Sequence, residues 1–302
     1  MSSTSPEQAE RWHAFHVYLP HTVQSAFLRE QVTELVDTAE SARFFFLRYW
    51  QGGPHLRLRL HTDEATADVF ARALGDRIPE LTEEQRVEYG YELDMQKQLA
   101  SAEGESPGAG RSPGDVVRES YAPEYAKYGG PEGIDLAEQV FCATSRVVLD
   151  VLASRETYAR TPPLGEAMRC TLVGLSASGL GQAEAGRFLE WYESWWSGYV
   201  PDGQAESWQR LSAQMRGQVD ELVDEAWDGT RDDVVRDLYR AARARADELD
   251  TGDGDVPVVG GVDYSRILAN YVHTTNNRFG IIPAGEAFLA RVLSEALHAR
   301  VG

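Results

Sequence analysis

One stretch decides the fold of this chain: RFFFLRYW (43–50), QGGP (51–54) and HLRLRL (55–60). Two extended runs on either side of a Gly-Gly-Pro break predict a β-hairpin. The spacing of apolar residues around the hairpin predicts a strand over 12–19, helices over 22–37 and 63–75, and a short strand, VEYGYEL, within 85–95. These elements indicate a sheet-containing N-terminal region.

The second strand of the hairpin has two chemically different faces. Successive strand side chains point to opposite sides. The leucines at 56, 58 and 60 should therefore pack on the core, and His55, Arg57 and Arg59 should share the other face, with about 6.6–7 Å between next-nearest positions. Such a row suits a ligand with carboxylates, because arginine binds them through paired hydrogen bonds. On the strand alone, an exposed face paired with surface acids is the commoner interpretation.

The rest of the chain is predicted to be a loop followed by helices. Residues 101–115 are rich in Gly, Ser and Pro and predict a mobile loop. Beyond it, apolar periodicity predicts helices over 131–153, 164–178, 182–199, 204–227, 230–249, 264–278 and 284–300. We therefore predict an α+β fold: an N-terminal, mainly antiparallel sheet with a hairpin, then a helix-rich C-terminal half. Residues 1–10 are expected to be a disordered tail and 11–302 one domain, sheet-rich over 11–130 and helix-rich over 131–302.

Composition narrows the classes of function. The 302 residues carry a net charge of −19, which disfavours direct binding to nucleic acid. The sequence contains no apolar run of about 18 residues and no signal-peptide pattern, so we expect no membrane partner and a cytoplasmic location. Cys142 and Cys170 sit among apolar neighbours and are expected to be buried hydrophobes, not metal ligands.

Two further segments could carry chemistry. SYAPEYAKYGGPEG (120–133) supplies tyrosines and Lys127 before a predicted Gly-Gly-Pro turn. NYVHTTNNRFG (270–280) gathers His273 and asparagines on one side of a helix, and a histidine there is a candidate general acid or base. The alternatives are a rigid turn with packed tyrosines and a histidine that satisfies helix-end hydrogen bonds.

Taken together and in this order, the three segments resemble the C-terminal elimination domain of class I lanthipeptide dehydratases, which also occurs alone in thiopeptide clusters. The resemblance runs from Trp12 to the end of the chain. In that family a glutamylating protein esterifies peptide Ser or Thr with glutamate from glutamyl-tRNA, and the elimination domain removes the glutamate to leave dehydroalanine or dehydrobutyrine. The resemblance implies a carbon–oxygen lyase without a metal or organic cofactor, whose partners are a precursor peptide and a separate glutamylating protein.

The resemblance also assigns roles to residues. It implies that Arg57, Arg59 and His273 are catalytic. We expect substrate contacts from these residues: His55, Tyr121, Lys127, Asn277 and Arg278. We further expect the two arginines and the histidine to converge in one cleft. Lys127 stands where the family has arginine, and lysine lacks the bidentate fork.

Two other functions remain open. Thiopeptide pyridine synthases resemble the same domain but join two dehydroalanines by a formal aza-[4+2] cycloaddition and expel the leader peptide. A non-catalytic module that binds a precursor peptide is the third possibility.

Overall fold

The structure is a computed structural model that describes residues 9–39, 43–103, 108–159, 161–201, 203–229 and 233–301. About 67% is helical, and an antiparallel four-stranded sheet lies in the N-terminal part, so the predicted α+β class is confirmed. The chain divides into two compact units, the first built from Met1–Pro123 and Val148–Pro162, the second from Glu124–Val147 and Pro163–Gly302. The single domain over 11–302 stays a prediction.

The sheet of the first unit contains the predicted strand and hairpin. Its strands are β1 (Arg11–Tyr18), β2 (Arg43–Tyr49), β3 (His55–Thr62) and β4 (Val116–Glu119), in the spatial order β2-β3-β1-β4 with antiparallel pairing throughout. Strand β4 was not predicted, because four residues are too few for a clear alternation. Strand β3 lies between β1 and β2, which places its two faces at the centre of the sheet.

The hairpin turn depends on its glycines. Gly52 and Gly53 have φ angles of 83° and 118°, a region that L side chains rarely adopt. A Cβ on Gly53 would also lie 2.2 Å from the hydroxyl oxygen of Tyr89. Any side chain at Gly53 would therefore strain the backbone and displace Tyr89.

The first unit also contains helices around the sheet. They are α1 (His21–Phe27), which continues through a π-helical turn (Leu28–Val32) into α2 (Thr33–Thr38), then α3 (Glu64–Asp76) and α4 (Glu83–Glu103). The helices predicted over 22–37 and 63–75 are confirmed. A 3₁₀ turn (Glu156–Ala159) also belongs to this unit.

The strand predicted within 85–95 is wrong, because these residues lie inside α4. In the structure Tyr89 is buried, whereas Val87 and Tyr91 are 64% and 67% exposed. The apparent alternation therefore did not reflect a buried sheet face. The Thr82 hydroxyl accepts from the backbone N–H of Gln85, and the Gln85 side chain accepts from the backbone N–H of Thr82. This reciprocal cap starts a helix, and the Thr-x-x-Gln signal for it was present in the sequence.

The loop predicted over 101–115 is confirmed only in part. Residues 101–103 belong to α4, 104–107 lie outside the described residues, and 108–115 have no regular structure. The last part is attached to the sheet: the N–H of Gly114 donates to the carbonyl of Tyr18 at 2.7 Å, and the N–H of Arg111 donates to the carbonyl of Gly52 at 3.0 Å. The predicted mobility of the loop stays a prediction.

The second unit is helical, as predicted. Its elements are α5 (Tyr125–Tyr128), α6 (Gly130–Ser154, whose end belongs to the first unit), α7 (Leu164–Ala177), α8 (Gln182–Trp196), a 3₁₀ turn (Ser197–Tyr199), α9 (Ala205–Asp228), α10 (Val234–Glu248), β5 (Val258–Val259), β6 (Val262–Asp263), α11 (Tyr264–Phe279) and α12 (Pro283–Val301). The small β5–β6 hairpin was not predicted. No helix among the described residues is long and apolar enough to cross a membrane.

The predicted Gly-Gly-Pro turn separates α5 from α6. Gly129 ends α5 in the left-handed conformation. A Cβ on Gly129 would lie 2.1 Å from the carbonyl oxygen of Val259. The segment around residue 129 thus has a structural role, since only glycine allows this close approach of two backbones.

Candidate functional site

The two faces of β3 differ as predicted. The leucines at 56, 58 and 60 are 0% exposed and pack into the core. On the opposite face, His55 and Arg59 are also buried, and Arg57 is half-buried. The basic row therefore does not lie on an open, solvated surface, which disfavours the interpretation that it only pairs with surface acids.

A histidine holds the first arginine. The Nδ1 of His55 lies 2.7 Å from the carbonyl oxygen of Gly53, which can only accept, so Nδ1 carries the proton. The other ring nitrogen, Nε2, then accepts from the Nε–H of Arg57 at 3.3 Å. The guanidinium carbon of Arg57 lies 3.3 Å from the centre of the Tyr49 ring. An imidazole of defined tautomer and an aromatic face thus orient Arg57.

A second histidine, from β1, holds the second arginine. Arg59 donates through Nη1 to the carbonyl oxygen of Leu58 at 3.1 Å. Its Nη2 lies 3.4 Å from Nε2 of His16, which must accept because a guanidinium has no acceptor. The rings of His16 and His55 stack with centroids 4.8 Å apart. Two stacked imidazoles therefore hold two guanidiniums side by side.

The pKa values of the histidines in this cluster are consistent with their role as neutral hydrogen-bond acceptors. Burial, followed by the charges of neighbouring groups, lowers the pKa of His16 to about 2. Burial also lowers the pKa of His55 to about 4, against the opposing hydrogen bond to Gly53. Both imidazoles are thus neutral near pH 7. Burial, with the nearby charge of Arg57, lowers the pKa of Arg59 to about 10. Arg59 remains charged, and a bound anion would relieve the repulsion between the arginines.

Aromatic residues border the arginine pair. The Tyr121 ring lies 5.7 Å from the guanidinium carbon of Arg59, and its centroid lies 5.7 Å from that of Trp12 and 5.9 Å from that of Phe45. The sheet thus supplies an aromatic rim beside the cationic groups. The structure brings together four of the predicted residues: His55, Arg57, Arg59 and Tyr121.

Two residues near this cluster were missed. His16 lies directly opposite Arg57 in the β1–β3 register. The sequence predicted a strand over 12–19, but which strand pairs with it was not readable from the sequence. Arg111, from the segment after α4, lies 4.0 Å from Glu119 and contributes to the low pKa of His16. No signal in its Gly- and Pro-rich surroundings pointed to it.

Lys127 lies elsewhere in the chain, in the second unit. It is exposed on the one-turn helix α5, and its ammonium group pairs with a carboxylate oxygen of Glu124 at 3.0 Å. The neighbouring tyrosines differ in exposure: Tyr125 is 48% exposed, whereas Tyr128 is buried against Phe141. The predicted contact of Lys127 with the substrate stays a prediction.

His273 belongs to a polar cluster inside the second unit. Its Nδ1 lies 2.9 Å from Oε1 of Glu286. The hydroxyl of Tyr192 donates to Oε2 of the same carboxylate. The Trp196 ring packs beside the imidazole, with centroids 4.7 Å apart. The sequence had suggested His273 as an acid or base but had not identified these partners.

The two residues predicted next to His273 differ in accessibility. Asn277 is half-buried on α11. Arg278 is 0% exposed; it donates through Nη1 to the Thr144 hydroxyl at 3.1 Å and lies 5.0 Å from the centre of the Phe141 ring. These contacts favour a structural role for Arg278 over the predicted substrate contact.

The predicted catalytic residues are thus distributed over both units. Arg57 and Arg59 belong to the first unit and His273 to the second. Their convergence in one cleft stays a prediction. Among the residues that the structure describes, no group of three or more His, Cys, Asp or Glu side chains could hold a metal ion.

Comparison with known proteins identifies one family and several solved structures of similar fold. A family model described as the C-terminal part of lantibiotic biosynthesis dehydratase matches residues 12–297. The pyridine synthase TbtD from thiomuracin biosynthesis is 19% identical, with a TM-score of 0.72 over 95% of this chain and 97% of that one. The tRNA-dependent lantibiotic dehydratase MibB from Microbispora sp. 107891 is 21% identical, with a TM-score of 0.55 over 100% of this chain and 29% of that one. TsrL is 16% identical, with a TM-score of 0.59 over 97% and 96%. No curated protein matched.

Proposed function

Because this chain belongs to the lantibiotic biosynthesis dehydratase C-terminal family, we propose that it eliminates glutamate from glutamylated Ser or Thr residues of a precursor peptide. The family is a dehydratase and elimination domain of ribosomal peptide biosynthesis, and its members act on a precursor peptide. The specific reaction is our proposal. A separate protein that glutamylates the peptide from glutamyl-tRNA is proposed as its partner.

The arginine pair on β3 carries this proposal. A glutamyl ester presents one free carboxylate and an ester carbonyl that becomes the second carboxylate on elimination. Arg57 and Arg59 are held side by side by neutral acceptors before any substrate arrives. Charge that is positioned in advance requires no rearrangement during the reaction. The pair is therefore suited to bind the glutamyl group and to stabilise the glutamate that departs.

The elimination breaks the Cα–H and Cβ–O bonds and forms the Cα=Cβ π bond, while a base takes up the proton from Cα. The Cα–H bond of the esterified residue breaks and gives an enolate-like species. The Cα=Cβ double bond then forms as the Cβ–O bond breaks, and the electron pair leaves with the glutamate carboxylate. In our proposal the arginines bind the leaving group. His273 acts at Cα, either by transferring the proton or by stabilising the enolate.

Synthetic peptides with glutamyl-Ser esters test the elimination directly. The wild type should release glutamate and form dehydroalanine, as followed by mass spectrometry. Arg57→Ala should retain the glutamyl adduct, whereas Lys127→Ala should have a milder effect, since Lys127 is exposed and paired with Glu124. An unchanged ester after incubation with the wild type would refute the proposal.

The pyridine synthase is the second candidate. It is favoured by the lysine at 127 in place of the family's arginine, which loses a bidentate contact to a carboxylate. A peptide that already carries two dehydroalanines distinguishes the reactions. Cyclisation of this peptide, with no glutamate released from the ester, would replace our proposal. Binding of the precursor peptide encoded beside this protein's gene, without either reaction, would favour a non-catalytic module.

A further inference from the structure

A buried carboxylate stands behind the imidazole of His273. Glu286, on α12, contacts the ring at Nδ1 through Oε1 and the Tyr192 hydroxyl through Oε2. The side chain of Glu286 is 1% exposed, whereas that of His273 is 29% exposed. A substrate can therefore reach the imidazole but not the carboxylate.

The contact with Glu286 determines which ring nitrogen of His273 carries the proton. A carboxylate that is buried away from water needs hydrogen-bond donors. Nδ1 of His273 therefore carries the ring proton and donates it in a hydrogen bond to Oε1. Nε2 is then the nitrogen that can exchange a proton or accept a hydrogen bond. The Trp196 ring, 4.7 Å away at an angle of 33°, restricts rotation of the imidazole.

The Tyr192 hydroxyl remains a donor in this arrangement. Burial raises the pKa of Tyr192 well above its ordinary value, and the negative charge of Glu286 acts in the same direction. The phenol thus stays protonated and donates to Oε2. The other carboxylate oxygen, Oε1, then accepts a hydrogen bond from Nδ1–H of His273.

We propose that Glu286 is a positioning residue for His273. It holds the imidazole in the tautomer with the proton on Nδ1, directs Nε2 away from the buried carboxylate and stabilises the imidazolium that forms when Nε2 takes up a proton. Buried carboxylates act on a neighbouring imidazole in this way in serine hydrolases. The inference rests on the proposed function only where it assigns His273 to the elimination.

Glu286→Gln tests the role of the charge with little change of shape. If the amide oxygen accepts from the Tyr192 hydroxyl, the amide NH2 group faces Nδ1 of His273 and favours the other tautomer. The negative charge that stabilises the imidazolium is also lost. We expect kcat for glutamate release to fall about 10- to 100-fold, with KM changed by about twofold or less. A residue that acts through His273 should lose this effect when His273 is already replaced. Glu286→Gln in a His273→Asn background should therefore cause no further loss.

The tautomer provides a measurement that does not depend on turnover. In protein labelled with ¹⁵N-histidine, the His273 resonances are identified by their absence in His273→Asn. We expect the wild type to carry the ring proton on Nδ1 and the Glu286→Gln variant to shift towards the other tautomer. A wild-type proton on Nε2, or a tautomer that the variant leaves unchanged, would overturn the inference. An equal loss of kcat in the His273→Asn background would also overturn it.

These measurements separate the inference from the proposed elimination. If the wild type releases no glutamate, the elimination fails and the tautomer alone decides the role of Glu286. If Glu286→Gln does not fold, Tyr192→Phe replaces it. That variant removes one donor from the carboxylate, so the Nδ1–H resonance of His273 should move downfield; an unmoved resonance would refute the contact.

Discussion

Replacing Arg59 with methionine should slow glutamate release without destabilising the fold. Methionine keeps an unbranched stem but removes the charge and the hydrogen bonds. A charged hydrogen bond to a bound carboxylate contributes about 1.5–3 kcal/mol. If the contact acts in the transition state, its loss corresponds to about a ten- to hundredfold lower rate.

The same substitution should not lower the free energy of unfolding. Arg59 is 8% exposed, and burial, with Arg57 nearby, lowers its pKa from 12.5 to about 10. This difference corresponds to about 3 kcal/mol of unfavourable free energy for holding the charge in the folded protein. At pH 7 Arg59 is charged in both states, so the cost is fully present. Methionine removes it but also removes the hydrogen bonds to Leu58 and His16. We expect an unchanged or higher free energy of unfolding.

The assay combines two measurements on purified protein. Urea unfolding gives the free energy of unfolding, and mass spectrometry follows glutamate release from a glutamyl-Ser peptide. Arg118→Met is the matched control, because Arg118 lies on the same sheet but pairs with Glu64 at 2.6 Å and Asp68 at 2.8 Å. The control should retain activity. A variant at Arg59 that unfolds more easily and releases glutamate at the wild-type rate would show a structural residue and refute the reasoning.

Three further predictions follow from the first unit. Leu58→Ala should lower the free energy of unfolding by about 2–5 kcal/mol in urea titration, because the side chain is completely buried; a loss below 1 kcal/mol would contradict its place in the core. Thr82→Ala should lower it by about 1 kcal/mol, since the reciprocal cap with Gln85 starts α4; unchanged helical circular dichroism and stability would contradict this. The free energy of unfolding should fall as the pH drops from about 6.5 towards 4. In this range His16 and His55 take up protons in the unfolded state but stay neutral in the folded state, where their pKa values are lowered. For His55 alone the loss approaches about 3 kcal/mol, and His55→Gln should flatten the pH profile; an equally steep profile would refute the assignment.

Local patterns determined much of this fold. The alternation of HLRLRL was sufficient to place the leucines in the core and the basic residues on the other face, because strand side chains alternate whatever the surroundings. Helical periodicity located the long helices of the second unit for a similar reason. The pattern failed at Tyr89, where alternate aromatic spacing suggested a strand, whereas the cap at Thr82 and the exposure of the intervening residues belong to a helix.

Only the tertiary structure decided what surrounds the candidate residues. The sequence indicated Arg57, Arg59 and His273, but not that His16 from another strand accepts from Arg59, nor that Glu286 and Tyr192 stand behind His273. These contacts join residues 13 to 94 positions apart. Periodicity reports which side of an element is buried, whereas strand order and helix packing determine which element lies opposite. The sequence therefore determined most of the helices, the central strands and the chemical groups on them, and the tertiary structure determined which groups contact one another and the protonation that follows from those contacts.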